Sequence, residues 1–436
     1  MNIPYSRHRL DNGLDVLIHE DHGCPIVAVS VWYHVGSKNE KRGRTGFAHL
    51  FEHLMFEGSQ HYDKGYFHPL QEAGALLNGS TNADRTNYWE VVPPNALELA
   101  LWMESDRMGF LLPALTEQKF RNQRDVVLNE RRQNYENRPY GLAGMAILAE
   151  LYPPDHPYGW LTIGSADDLH AASLDDVREF FQTYYRPGNA SLALAGDVET
   201  DSALALATDY FGSLDAGDPP PPVVPAVPGP WTSESRVLLE DRVELPRIYM
   251  AWHSPALFAP DDAALDLVGD VLAGGKTSRL YKALVYDARI ATDVSASQSS
   301  REIGSYFQII ATAAPGRRLQ ELDEVIRRVL AGLAEQGPTE PEMQRAVAQA
   351  EAHFVQRLQT VGGFGGKSDQ LNAYNVFLGD PGYFDRDLGR YHAVTPGDMQ
   401  RAARDWLGPD ARVVLSVVPK GKPELALDGS RPVSVS

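Results

Sequence analysis

Two stretches near the start of the chain, LDVLIHED (14–21) and IVAVSVWYHVGS (26–37), carry the apolar, β-branched pattern of strands, with a turn between them at His22–Gly23. The pattern then changes. Residues 44–57 read as a helix closed by Gly58. Residues 116–139, TEQKFRNQRDVVLNERRQNYENRP, read as one long helix with Thr116 as N-cap and Pro139 beyond its end.

The first helix poses a chemical question. In AHLFEHLMFEGS (48–59), His49, Glu52 and His53 stand among Phe47, Leu50, Phe51, Leu54, Met55 and Phe56. A helix that is apolar nearly all round is a buried one, and ionisable groups there need partners or a metal. Positions i and i+4 share a helix face, so His49 and His53 can hold one ion between them. Glu52, at i+3 from His49, lies near the same face. The spacing H-x-x-E-H is the inverse of the H-E-x-x-H zinc motif. A catalytic zinc takes three protein ligands and keeps one position open. Any carboxylate could be the third. Glu130, 77 positions after His53, is the choice here, because Gln123, Val127 and Glu130 share one face of the long helix. A solvated helix residue is the bland alternative.

Organisation follows from a Pro-rich segment, DAGDPPPPVVPAVPGP (Asp215–Pro230), too stiff for a helix or central strand and therefore a linker. Residues 170–197 align without gaps on 392–419, so that His170 meets His392, Asp176 meets Asp398 and Pro187 meets Pro409. A weaker echo sets 116–121 against 339–344. The chain reads as a duplication of one α/β unit of roughly 220 residues. The expected fold class is α+β: two related units, 1–214 and 231–436, each a largely antiparallel sheet with helices packed on one face.

Composition removes several functions. A net charge of −18 argues against nucleic acid as a partner; it favours solubility or an inner surface that attracts basic peptides. The single Cys24 excludes an internal disulfide and a Cys-based metal site. No apolar run reaches membrane-span length, and no signal peptide is visible at the N-terminus. The expectation is a soluble chain with no anchor, the choice between periplasm and cytoplasm being left open. VGGFGGKS (361–368) and GDVLAGGKT (269–277) imitate a phosphate-binding loop, but each misses the glycine spacing and lacks a convincing preceding strand.

With the motif in view, the sequence resembles the pitrilysin family of inverted-motif zinc peptidases, which includes insulin-degrading enzyme and mitochondrial processing peptidase; the form suggested is a bacterial processing-peptidase-like subunit. The likeness extends over NADRTNYWEVVP (82–93), ENRPYG (136–141), HPYGWLTIGS (156–165) and GGKTSRLYKALV (274–285). It implies one zinc ion bound by His49, His53 and Glu130, and Glu52 as the group that activates water. It also implies an edge strand around Asn82 and Ala83 that receives a peptide substrate as an added strand, with Asn82 as a plain turn residue the alternative. Gln123 stands where many relatives carry a second glutamate near the metal. In the second half the motif positions fall on Leu272, Gly275 and Lys276, so no second zinc site is expected. Relatives hold substrate with an Arg and a Tyr seven positions later, which fall here on Val285 and Thr292. The resemblance thus implies a heterodimer with a homologous chain carrying that pair. The rival reading is a non-catalytic scaffold or peptide-binding subunit of the same fold.

Overall fold

The computed structural model describes residues 2–224 and 233–435. Residues 225–230 of the expected linker lie outside the described residues.

Each half of the sequence builds one six-stranded sheet. The first contains β1 (Ser6–Arg9), β2 (Asp15–Glu20), β3 (Val27–Tyr33), β4 (Leu76–Thr81), β5 (Thr86–Val92) and β6 (Ala190–Gly196). Its order is β1-β2-β6-β3-β5-β4. The second contains β7 (Ser235–Asp241), β8 (Arg247–Ser254), β9 (Ala291–Ser299), β10 (Ser305–Ala313), β11 (Val413–Pro419) and β12 (Arg431–Pro432). Its order is β12-β7-β11-β8-β10-β9. Five strands of each sheet correspond in order and direction, while the outer pair differs, β1 lying antiparallel to β2 and β12 parallel to β7. β2 runs parallel to β6 as β7 does to β11, and the next three pairings in each sheet are antiparallel. The sheets are largely antiparallel, as expected, and the duplication is visible in their topology.

The repeated segments also fold alike. Ser173 and Asp176 exchange reciprocal backbone and side-chain hydrogen bonds at the start of the helix Leu174–Tyr184. Thr395 and Asp398 do the same for the helix Pro396–Trp406. Such a box satisfies two otherwise orphaned amides, which is why both copies keep its residues. The weaker echo marks the starts of two long helices, Glu117–Arg131 and Glu340–Arg357.

Compactness divides the chain differently from the expected cut at the linker. One unit gathers Met1–Asn129, Thr162–Val224 and His353–Arg386; the other gathers Glu130–Leu161, Pro225–Ala352 and Asp387–Ser436. The cause is an exchange of helices between halves. The helix Lys367–Leu378, late in the sequence, packs on the first sheet. There Asn372 donates to the Ser30 carbonyl (2.9 Å), and Trp32 Nε1 donates to Asp369 (2.8 Å). The helix Ala143–Leu151, from the first half, packs on β7, β8 and β11. Each sheet therefore has its main helical layer on one face and a single helix from the other half on the opposite face. This modifies the expectation of helices on one face. It also explains why β3, β6 and β11 are buried at every position.

Both stretches that imitate a phosphate-binding loop follow or end helices: 361–368 comes after Glu340–Arg357, and 269–277 overlaps the end of Asp262–Ala273. Neither has the strand that such a loop needs. Among the described residues, no helix is long and apolar enough to cross a membrane.

The core of the first unit holds a buried cation. Arg107, on the helix Leu97–Ala114, is fully buried and donates to Glu104 through Nε (2.9 Å). Its guanidinium lies 4.0 Å from the Tyr66 ring centre, 4.2 Å from that of Tyr88 and 5.5 Å from that of Phe56. Glu90, also buried, accepts from the Tyr66 hydroxyl (2.8 Å). Burial first, and the neighbouring Glu104 second, push the Glu90 carboxyl upward. Arg107 pairs with both Glu104 and Glu90, and removing it strands two carboxylates in an apolar setting. Arg107→Met should destabilise this unit by about 3–5 kcal/mol, read as a shift in its urea unfolding midpoint. Adding Glu104→Leu should recover part of that loss. Equal midpoints for wild type and Arg107→Met would show that the cation is dispensable.

Candidate metal centre

The motif helix spans Phe47–Leu54, three residues shorter at each end than the sequence pattern suggested. It starts late because Gly46 adopts a left-handed conformation (φ 90°) that blocks earlier helical turns. Its first amides are not left to water. The Glu40 carboxylate accepts from Gly46 N–H (3.0 Å) and Ala48 N–H (2.9 Å). Asp168 holds the residue before, accepting from Thr45 N–H (2.9 Å) and Oγ1 (2.6 Å). A carboxylate at a helix N-terminus also meets the positive end of the helix dipole. Phe47, Leu50, Phe51 and Leu54 are buried, and Phe51 stacks on Phe180 at 5.5 Å and lies 5.0 Å from Tyr185.

His49, Glu52 and His53 occupy the half-buried remainder. The two imidazole rings, one turn apart, have centres 4.9 Å apart and planes at 89°. Glu130 sits one residue from the end of the helix Glu117–Arg131, which continues into a π-helical turn, Arg132–Glu136. The boundary between the compact units falls inside this helix, just before Glu130. Ligand atoms of His49, His53 and Glu130 all lie within 4.8 Å of one another. Burial, and secondarily the nearby His53, lower the His49 pKa to about 4, so its imidazole is neutral near pH 7 with a lone pair to give. Two imidazole nitrogens and one carboxylate oxygen form a donor set suited to zinc. The residues fit the ion.

Glu52 shares its surroundings with Arg85, Tyr88 and Tyr185, each of which feels its charge. Arg85 donates through Nη1 to the Ser80 carbonyl (2.8 Å) and hydroxyl (2.7 Å) and lies 5.1 Å from the centre of the Trp32 ring. Neither Arg85 nor Glu40 was singled out from sequence. One sits in a hairpin turn and the other in a loop, and no periodicity marks them.

The remaining expected site residues are placed as follows. Gln123 donates to the Glu57 carboxylate just beyond the motif helix. Arg131, next to Glu130 on the long helix, is 2% exposed and pairs with Glu136 (3.3 Å). The edge strand ends at Thr81, so Asn82 and Ala83 stand in the β4–β5 turn and not on the strand itself. Asn82 Oδ1 accepts from the amides of Asp84 (2.7 Å) and Arg85 (2.9 Å). The Asn82 and Ala83 carbonyls accept from Ser37 and Lys38. The outermost strand is β4, and its open edge carries Asn78 and Gly79. A Cβ on Gly79 would lie 3.0 Å from the Tyr88 ring and 3.1 Å from the Phe56 ring just past the motif helix, a tight fit. In the second unit Val285 lies in a π-helical turn and Thr292 in β9.

Among the described residues, one other group of potential ligands, Glu20, His22 and Glu199, is exposed. Its members already have work. Glu20 accepts from the amide of Thr200 at a helix start, and His22 pairs with Asp197 (2.7 Å).

Known proteins resemble this chain in sequence and in fold. Residues 15–153 match the family description Insulinase (Peptidase family M16), and residues 171–350 match Peptidase M16 inactive domain. The zinc protease PqqE of Helicobacter pylori is 30% identical over 360 residues, which cover 80% of this chain and 79% of that one. A crystal structure of a protease from Helicobacter pylori superposes with a TM-score of 0.87 at 26% identity, covering 95% of this chain and all of that one. The periplasmic protease PqqL of Escherichia coli has a TM-score of 0.79 at 17% identity, covering 98% of this chain but only 50% of its own. Both family descriptions, a relative matched over most of its length and the shared two-sheet fold converge, and the chain belongs to the M16 peptidase family.

Proposed function

We propose that this chain is a zinc-dependent endopeptidase subunit that hydrolyses peptides or unfolded segments held as an added strand along β4. The observation that carries the reading is the convergence of His49, His53 and Glu130 ligand atoms within 4.8 Å, in a chain whose relatives are named zinc proteases. A zinc ion bound there would supply Lewis-acid polarisation of the scissile carbonyl and a water of lowered pKa.

The chain's own residues account for the rest. His49 and His53 offer imidazole nitrogens from one helical turn, and Glu130 offers the oxygen from a second helix. Glu52 takes a proton from the attacking water at a carboxylate oxygen and returns it to the leaving amine nitrogen. The open edge of β4 binds the substrate backbone by main-chain pairing, which is tolerant of sequence. The short turn at Asn82 and Ala83 sets where that edge stops.

A non-catalytic scaffold is the second reading, favoured by the inactive-domain match over residues 171–350. All four motif residues lie outside that span, within 15–153, so the match bears on the C-terminal copy. Partner dependence is a further part of the proposal. Its support is the substitution of Val285 and Thr292 for the expected Arg and Tyr, together with a solved neighbour twice as long that this chain matches over only half its length. Losing a substrate clamp loosens positioning, which can be worth several kcal/mol of barrier.

Metal analysis of the purified chain should find one zinc, lost in His49→Ala, His53→Ala and Glu130→Ala. Glu52→Gln should keep the metal and lower hydrolysis by about 10²–10⁴-fold. Full zinc occupancy in Glu130→Ala would remove that residue from the ligand set.

The isolated chain should cleave peptides poorly, and a homologous chain carrying the Arg and Tyr should raise its rate at least about tenfold. Full activity of the purified chain without any partner would overturn the heterodimer.

A further inference from the structure

The open edge of β4 has an unusual neighbour on one face of the first sheet. Asn87 of β5 donates to Asp369 (3.0 Å), so its face is the one covered by the helix Lys367–Leu378. By alternation Trp89 and Val91 share that face. Both are only half-buried, whereas Tyr88, Glu90 and Val92 on the other face are buried. Across the ladder Trp89 stands opposite Asn78 and Val91 opposite Leu76.

The Gly-rich loop 361–366 completes this face. A Cβ on Gly362 would lie 2.5 Å from Ala28 Cβ and 2.7 Å from Val91 Cγ2, so its backbone lies directly on the sheet. Gly365 N–H donates to the buried Asp369 carboxylate (2.7 Å), and Gly363 and Gly365 both take positive φ. The loop is pinned, and what it presents is Phe364, edge-on to Trp89 at 5.5 Å between ring centres. Phe364 is 50% exposed and Leu76 is 70% exposed. A held aromatic and an exposed leucine therefore flank a strand edge that is itself open.

We propose that Leu76, Trp89 and Phe364 form a side-chain subsite for a bulky apolar residue of an extended peptide paired with β4. The proposal rests on the peptidase reading above. A strand added to β4 sends alternate side chains to this face. One opposite Leu76 meets it directly, at the Cβ spacing of about 5 Å that cross-strand pairs have. One opposite Asn78 passes a short side chain, with Trp89 two strand spacings, about 9–10 Å, away. Farther along the same face the row turns polar, with Ser80 held by Arg85. The face is graded from apolar at the Leu76 end to polar and cationic at the Ser80 end. Substrates should thus carry a large apolar residue several positions from the cleaved bond.

Binding separates this subsite from catalysis. Zinc-loaded Glu52→Gln chain should bind labelled extended peptides, followed by fluorescence anisotropy, with Phe exchanged for Asn at each position in turn. At one position Phe should bind about tenfold tighter. Phe364→Ser combined with Leu76→Ser should reduce that ratio to about twofold while leaving affinity for the Asn peptide unchanged; both residues are exposed, and thermal unfolding checks the fold. Discrimination that survives the double variant overturns the subsite alone. No binding of any peptide overturns the strand-addition reading and the subsite with it. A wild-type dimer that the double variant converts to monomer assigns the patch to contact between copies, which also overturns the proposal.

Discussion

The proposed metal centre depends on an eight-residue helix that has no means of standing alone. Helices shorter than about 12 residues are marginal in water, because nucleation fixes several residues for one hydrogen bond. Phe47–Leu54 persists because its surroundings supply what its length does not. Glu40 takes two of its N-terminal amides, Asp168 fixes the residue before it, and four apolar side chains lock it over the sheet. The three chemical groups then occupy the one stripe that packing leaves over. Their convergence is a consequence of burial on the other side.

That dependence extends outward. Phe56, just past the helix, lies over Gly79 of the edge strand and beside Arg107 of the buried charge group. The substrate edge, the metal helix and the core cation are thus linked through one aromatic ring. On the far face, Asp369 ties the Gly-rich loop to Trp32 and Asn87. Both faces of the first sheet are therefore fixed before any ligand arrives. Preorganisation of this kind lets binding energy be spent on the reacting groups.

What could be read in the sequence was what is local or repeated. Helix periodicity put His49 and His53 on one face, and the gapless match of 170–197 on 392–419 announced the duplication, because the one signal is local and the other repeated. Glu130 was reachable only as one carboxylate among many until a family spacing selected it. The edge strand was misplaced by a few residues, since NADRT carries turn chemistry that only the β4–β5 register distinguishes from strand. Glu40 and Arg85 were invisible for the same reason: their partners are distant in sequence or set by a loop. The exchanged helices, Ala143–Leu151 and Lys367–Leu378, also left no local mark. An amphipathic helix declares that it has a buried face, and says nothing about which sheet it covers.

The two copies show how one scaffold keeps or abandons a site. In the second unit the helix Asp262–Ala273 follows β8 as the motif helix follows β3, yet its polar groups are consumed internally. Asp262 accepts from Arg390 (3.1 Å), Gln298 (2.7 Å) and the Phe258 amide (2.9 Å), and Asp266 accepts from the Tyr391 hydroxyl (2.7 Å). Burial first, and Asp262 second, push the Asp266 carboxyl up to about 7. These carboxylates brace neighbouring helices and strands, and among the described residues they join no group of metal-ligating side chains. In the first unit the same bracing falls to Glu40 and Asp168, residues outside the helix. That arrangement leaves the helix's own polar stripe available for the metal and proton chemistry proposed for it.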